Sequence, residues 1–403
     1  MTRDDVTERI LRYNAGRDPE RLALKFQAMR AAPFTFFRAT AHLFYQATDV
    51  LIPLAHTPAV WSSGDVHLEN FGCYKGDNRL TYFDLNDFDE AGLAPLSWDL
   101  VRLLASALLG GGPRDLGPGD RRAVARAMLR YYVEQLREGK ARWIERATAE
   151  GPILHLLRQA KRRTRRALLA DRTRRAAVGR RFRLEAGRHL RARRSEARSL
   201  ARLLARVGRA QQAPTFYRVL DAVRRVAGMA SLGVPRFAVL VEGRGSPNNN
   251  YLLDLKAALP SVLAGASPVR QPSWRSEAER VVTVQGWTQA VSPALLMAVR
   301  WERHAMVLRE LQPTADRLRA AQWRLRGEEL EHLLRAVAGV TAWGHLRAAG
   351  RRGADGIDRL VTFAGERHWQ RPVLDAATEM ARRTLAGWEA FRTGTSGPAE
   401  RRR

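Results

Sequence analysis

Two short segments hold most of the residues able to do chemistry. Gly64-Asp65-Val66-His67-Leu68-Glu69-Asn70 places a carboxylate and an amide in one polar loop, and Tyr82-Phe83-Asp84-Leu85-Asn86-Asp87-Phe88-Asp89-Glu90 follows with a cluster of acids. Phosphoryl transfer from a nucleotide asks little covalent chemistry of a protein. It needs a carboxylate to orient the acceptor hydroxyl and oxygen ligands to hold magnesium on the phosphates. Magnesium is small, prefers oxygen and keeps several waters, so one Asn amide oxygen and one Asp carboxylate suffice as protein ligands. Asn70 and Asp84 fit that pair, with Asp87 as the alternative second ligand, and Asp65 is then left for the acceptor. Repulsion among Asp84, Asp87, Asp89 and Glu90, between Phe83 and Phe88, is costly unless a cation or basic groups offset it.

Such a site also needs a cation and a cover for the phosphates. Lysine occurs only at Lys25, Lys75, Lys140, Lys161 and Lys256, and the last lies inside the apolar run Leu252 to Ala258, where a strand lysine that contacts nucleotide phosphates is expected. Glu279, after Pro272, is its expected acidic partner. The turn Gly228-Met229-Ala230-Ser231-Leu232-Gly233 offers flexible backbone, with Gly228, Ser231 and Gly233 as candidate nucleotide contacts. It is not a Walker A loop, because no Lys-Ser or Lys-Thr follows Gly233.

These segments carry a resemblance. Gly64-Asp65-x-His67-x-x-Asn70, Phe83-Asp84-Leu85 and Trp98-Asp99-Leu100 resemble the catalytic segment of aminoglycoside phosphotransferases and related small-molecule kinases. Phe36-Phe37-Arg38, Gly64 to Gly72, Asn86-Asp87-Phe88-Asp89-Glu90 and Trp98 to Leu103 look like a bacterial family, domain of unknown function twenty-two fifty-two, grouped with protein-kinase-like folds. The resemblance runs from about Pro19 to Phe391. It implies that Asp65 is the catalytic-loop base, that Asn70 and Asp84 are magnesium ligands, and that Asp99 braces the loop from a buried helix. Ser63 stands where such enzymes usually carry a histidine, and Asp87-Phe88-Asp89 can be aligned instead as the metal-binding element. The implied fold is protein-kinase-like and two-lobed, with ATP and Mg2+ as cofactors and an unidentified phosphoryl acceptor. Since Asp65 and Asn70 precede Gly228 and Lys256, the order is circularly permuted relative to ordinary kinases.

The elements that must position these residues follow from pattern. Asp4 to Tyr45 reads as helical, Lys75-Gly76-Asp77-Asn78 as a hairpin turn into Leu80 to Phe83, and Pro95 to Leu109 as a buried helix ended by Gly110-Gly111-Gly112-Pro113. Arg121 to Arg209 reads as helical and increasingly basic. Phe237 to Val241 and Tyr251 to Ala257 read as a hairpin across the turn residues Gly243 to Asn250, and the chain from Leu311 to near Phe391 as helical. The expected class is α+β, mostly helical, divided into a helical lobe (1–213), a small sheet-containing nucleotide lobe (214–310), a C-terminal helical part (311–395) and a disordered tail (396–403).

At 403 residues and 45% hydrophobic, the chain has material for more than one small domain. The single cysteine, Cys73, excludes an internal disulfide framework. The charged start and the lack of an apolar stretch of about 18 residues point to a cytoplasmic protein without a membrane span. The formal charge of +28 raises a polyanion as partner, yet the basic segment has almost no aromatic residues to stack on bases, so at most weak, non-specific nucleic-acid binding is expected. Two rival readings are a metal-dependent phosphoesterase and a non-catalytic basic nucleic-acid-binding or scaffold protein. The first lacks an upstream Asp-x-His and a downstream Gly-Asn-His element; the second has no need of an acceptor carboxylate.

Overall fold

Alternating side chains on two strands organise the larger sheet. Arg236–Val241 and Tyr251–Ala257 pair antiparallel, with Phe237 opposite Leu255 and Val239 opposite Leu253, as the turn chemistry between them leads one to expect. Phe237, Val239, Leu253 and Leu255 share one face and pack on Leu200, Leu203, Leu204 and Val207 of helix Arg194–Ala210, whose apolar spacing is that of one helix face. Ala238, Leu240 and Leu252 share the other face with Leu169 and Phe182. The period of two therefore sends Arg236, Asp254 and Lys256 to that second face, away from helix Arg194–Ala210. The sheet has six antiparallel strands, in the order Met297–Trp301, His304–Glu310, Tyr251–Ala257, Arg236–Val241, Val219–Arg225 and His189–Arg191.

The computed structural model describes residues 3–394 except Arg114, Val178, Ala186, Met229, Thr314, Ala315, Ala320 and Ala321. The expected disordered tail, 396–403, lies outside the described residues. The class is α+β with several small sheets. Among the described residues, no helix is long and apolar enough to cross a membrane.

Asp84 sits on one of two smaller sheets, and the other acids in the loops beside them. Ala59–Ser62 pairs with Gly92–Pro95, and the hairpin of Phe71–Lys75 with Thr81–Leu85 is extended by Ile144–Glu145. Helix Leu96–Ser106 lies beneath them with every residue buried. One apolar core runs through these elements and on into the C-terminal helices Gly327–Ala348, Ile357–Gly365 and Gln370–Thr393, joining Trp61, Phe83 and Trp98 to Val337 and Trp369.

Two expectations about elements need correction. The basic stretch is not helical throughout: after helices Pro118–Arg137, Gly151–Arg162 and Arg165–Arg172 it forms the strand pair Thr173–Arg175 with Arg180–Phe182, and then strand His189–Arg191. Its arginines act as more than a solvated face there. Arg180 is buried and donates to the Pro247 carbonyl and to Thr173 Oγ1, which lets an arginine take an inward strand position. The second correction is that, among the described residues, α-helix resumes at Gly327 rather than Leu311; Thr314, Ala315, Ala320 and Ala321 lie outside them. Between Leu311 and Gly327, Arg317 makes an isolated antiparallel bridge to Gly72 and Leu318 N donates to Phe71 O at 2.8 Å, while Asp316 N and Gln322 N donate to the Pro313 and Arg319 carbonyls, so the described backbone is satisfied by local turns and by another segment.

Candidate active site

The loop after Ala59–Ser62 is held from below. Gly64 has φ +77°, and a Cβ there would lie 2.0 Å from the Glu90 carbonyl oxygen, so only glycine lets the two acidic segments close on each other. Ser62 Oγ accepts from Gly64 N at 2.8 Å and donates to Asp99 Oδ1. Asp99 Oδ2 meets His345 Nε2 at 3.1 Å, and Tyr132 Oη meets His345 Nδ1 at 2.7 Å. Asp99 thus braces the loop from inside the buried helix and ties it to the C-terminal helix Gly327–Ala348.

Asp65 leaves this loop facing Arg102, which is completely buried and packed over Phe37 and Phe44. Arg102 Nε and Nη2 reach Asp65 Oδ1 at 2.7 and 2.5 Å. Burial raises the Asp65 carboxyl above its ordinary range, against the opposing pull of Arg102. Asn70 Nδ2 donates to the Asp65 carbonyl at 2.6 Å, which leaves Asn70 Oδ1 as the atom free for a cation. Asn86 N donates to the Asn70 carbonyl at 2.9 Å and so pins the start of the acid cluster beside the loop. His67 is buried, lies edge-on to Phe34 and is held neutral by burial and by the nearby Arg38 and Arg102.

The acids then divide. Asp84, still in the strand, is committed to protein donors: Leu85 N at 2.8 Å, Ala290 N at 3.2 Å and Arg347 Nη2 at 3.1 Å. Asp87 lies past the strand end and meets Lys256 Nζ at 3.8 Å; Asp89 Oδ2 is also in contact with Lys256 Nζ. Asp65, Asp87, Asp89 and Glu90 line one pocket with Ser231 and Ala257, so the early carboxylates face the glycine turn and the end of the Lys256 strand. Among the described residues, no three His, Cys, Asp or Glu side chains gather as a metal cage. A site with two protein oxygens and phosphate ligands does not require one.

Glu279 is not beside Lys256. Its carboxylate accepts from Arg275 N at 2.7 Å at the start of helix Glu277–Thr288, because Ser276 caps that helix and sets Glu279 back over its first turn. In the glycine turn Gly228 and Gly233 have φ +81° and +89°, Met229 lies outside the described residues, and Ser231 Oγ is buried without a partner. The turn's carbonyls face the N-terminal helices: Arg17 and Lys25 donate to Ala230 O at 2.8 and 3.0 Å, and Asp18 N donates to Gly233 O at 3.2 Å.

Sequence reasoning missed Arg102, Lys25, Arg347 and Arg317. For Arg102 a signal exists, a cation inside the otherwise apolar run Trp98 to Leu104, and for Lys25 its rarity among arginines. Arg347 and Arg317 carry no local signal. Arg225 and Arg236 on the inner sheet face share Asp254, at 2.8 and 2.6 Å, and hold its carboxyl well below the usual range against the burial that would raise it.

A family model described as an uncharacterized protein conserved in bacteria (DUF2252) matches residues 17–394. No curated protein and no solved structure matches the chain.

Proposed function

We propose that this chain, which belongs to that bacterial family, is a kinase-like phosphotransferase that binds ATP and Mg2+ and passes a phosphoryl group to an acceptor hydroxyl. The observation that carries this reading is a single juxtaposition: Lys256, from a strand late in the chain, meets Asp87 and Asp89, and those two carboxylates line one pocket with Asp65 and Ser231. An ordinary strand lysine has no cause to be buried against two aspartates at a glycine turn, whereas a phosphate-binding lysine needs an acidic partner while its ligand is absent. On this reading the fold is kinase-like with its small lobe supplied late, a circular permutation that a site defined by geometry tolerates.

Each side chain then has a task. Lys256 turns from Asp89 to the phosphates, and the glycine turn, its carbonyls held by Arg17 and Lys25, keeps its N–H groups for the same anion. Asn70 Oδ1 and Asp87 would hold Mg2+, which neutralises charge on the phosphate oxygens when bound. Asp87 is preferred to Asp84, whose two oxygens are already engaged by Leu85, Ala290 and Arg347. Asp65 orients the acceptor hydroxyl. Arg102 fixes the direction of its carboxylate, and burial raises its affinity for the proton it must take.

The test is ATP consumption together with melting of the purified protein in ATP with and without Mg2+. ATP with Mg2+ should stabilise the native protein, and Asp87→Asn should abolish the Mg2+-dependent part while Asp84→Asn retains it. Asp65→Asn should keep nucleotide affinity and lower turnover by about two decades or more. A native protein that neither gains stability from ATP with Mg2+ nor consumes ATP overturns the reading.

A further inference from the structure

The described stretch Asp316 to Arg319 runs between strand His304–Glu310 and helix Gly327–Ala348. It lies across the start of strand Phe71–Lys75. Arg317 bridges to Gly72, and a Cβ at Gly72 would lie 2.8 Å from Arg317 Cα, 2.7 Å from the Asp316 carbonyl and 2.7 Å from Asn86 Nδ2. Glycine two residues after Asn70 therefore lets this strap press onto the floor of the site. The strap delivers Arg317 between the Asn70 loop and the acid cluster.

The charge around Arg317 is unbalanced. Arg225, Arg236 and Arg309 share the one carboxylate of Asp254, Lys256 has Asp87 and Asp89, and Arg38 has Glu69. Among the described residues, no hydrogen bond or ion pair within 4.0 Å reaches the half-buried Arg317 guanidinium. The carboxylate it feels most is Asp87, and it is crowded by Arg236, Arg309 and Arg38. Burial and that crowding pull it down to about 10 despite Asp87. Asn86 Oδ1 is also buried without a partner. A cation excess in a partly desolvated site is unfavourable unless an anion completes it, and a planar guanidinium is suited to a terminal phosphate.

We propose that Arg317 is the protein ligand of the donor's terminal phosphate, supplied in cis by the stretch that bridges Gly72, and that it selects a triphosphate donor over a diphosphate. The inference rests on the nucleotide reading of the pocket. In the empty protein Arg317 is held in an electrostatically unfavourable place; with a triphosphate bound it makes paired N–H to oxygen contacts and neutralises charge that Lys256 and the glycine turn do not reach.

The experiment measures binding of ATP, ADP and inorganic tripolyphosphate by calorimetry, with Mg2+, to the native protein, Arg317→Met and Arg317→Lys, and melts the three without ligand. Arg317→Met should lose about tenfold or more in affinity for ATP and tripolyphosphate while ADP affinity changes less than about threefold, and Arg317→Lys should fall between. Without ligand, Arg317→Met should melt at or above the native temperature in low salt, because it relieves the crowding; a purely structural arginine would melt lower. If the native protein binds ATP and the Met variant binds ATP and ADP as the native protein does, Arg317 has no such role and the nucleotide reading stands. If the native protein binds tripolyphosphate but no nucleotide, and Arg317→Met loses it, Arg317 is an anion ligand and the nucleotide reading fails. A native protein that binds none of the three removes both proposals.

Discussion

Residues a few positions apart are given opposite environments. Asp84 and Asp87 have the same chemistry, yet one is locked to Arg347 and backbone donors and the other is left facing Lys256. Glu90 makes the effect measurable. Burial pushes its carboxyl up to about 7, reinforced by Asp89 and Asp65 and opposed by the Val262 N–H and Arg280. An unfolded glutamate titrates near 4.3. Between those values the folded chain keeps a proton that the unfolded chain has released, so this contribution is fully present below about 4.3 and lost as pH rises through 7. Glu90→Gln removes the titration. Relative to the native protein, the variant should gain about 1–3 kcal/mol of unfolding free energy between pH 5 and pH 8, read from denaturant midpoints at each pH. A difference that stays flat across that range would contradict the raised carboxyl.

At the level of elements, the loop that carries Asp65 is positioned by a helix it precedes in sequence. Helix Leu96–Ser106 reads clearly as buried from its apolar face, and Asp99 within it can be tolerated only where Ser62 and His345 satisfy its oxygens. Asp99→Ala leaves the Ser62 hydroxyl and the His345 ring without that partner and should cost about 2–4 kcal/mol of stability without ligand, seen as a lowered denaturant midpoint with an unchanged slope. Normal melting of the variant would show that the brace is not needed. The hairpins at Phe71–Lys75 with Thr81–Leu85 and at Arg236–Val241 with Tyr251–Ala257 were legible because turn residues announce them. The strands at Thr173–Arg175, Arg180–Phe182 and His189–Arg191 were not, since they are short, arginine-rich and stabilised by carbonyls of other segments.

For the whole molecule, the +28 charge and the site are separate matters. Arg198, Arg202, Arg206 and Arg209 are exposed on helix Arg194–Ala210, which covers the sheet face opposite Lys256. Binding to duplex DNA should be weak, insensitive to sequence and steeply reduced by added salt, as a fluorescence titration at two ionic strengths would show. A tight, sequence-selective complex near physiological salt would overturn that expectation. What the sequence by itself determined is local: a Gly-Asp loop with its Asn, an acid cluster, a lysine in an apolar strand, a glycine turn and a buried helix, each encoded by residue type, period or turn chemistry. The tertiary structure alone decided that Asp87 rather than Asp84 meets Lys256, that Glu279 stays with its own helix, that Arg102 reaches Asp65, and that Arg317 is set where Asp87 is the carboxylate it feels most, with no ion pair to it. Those outcomes depend on which faces of distant segments are buried together. Asp84 still obeys the strand's alternation, and Asp87 lies past the point where Asn86 is pinned to Asn70, so the two carboxylates turn to different neighbours for a reason that no local pattern contains.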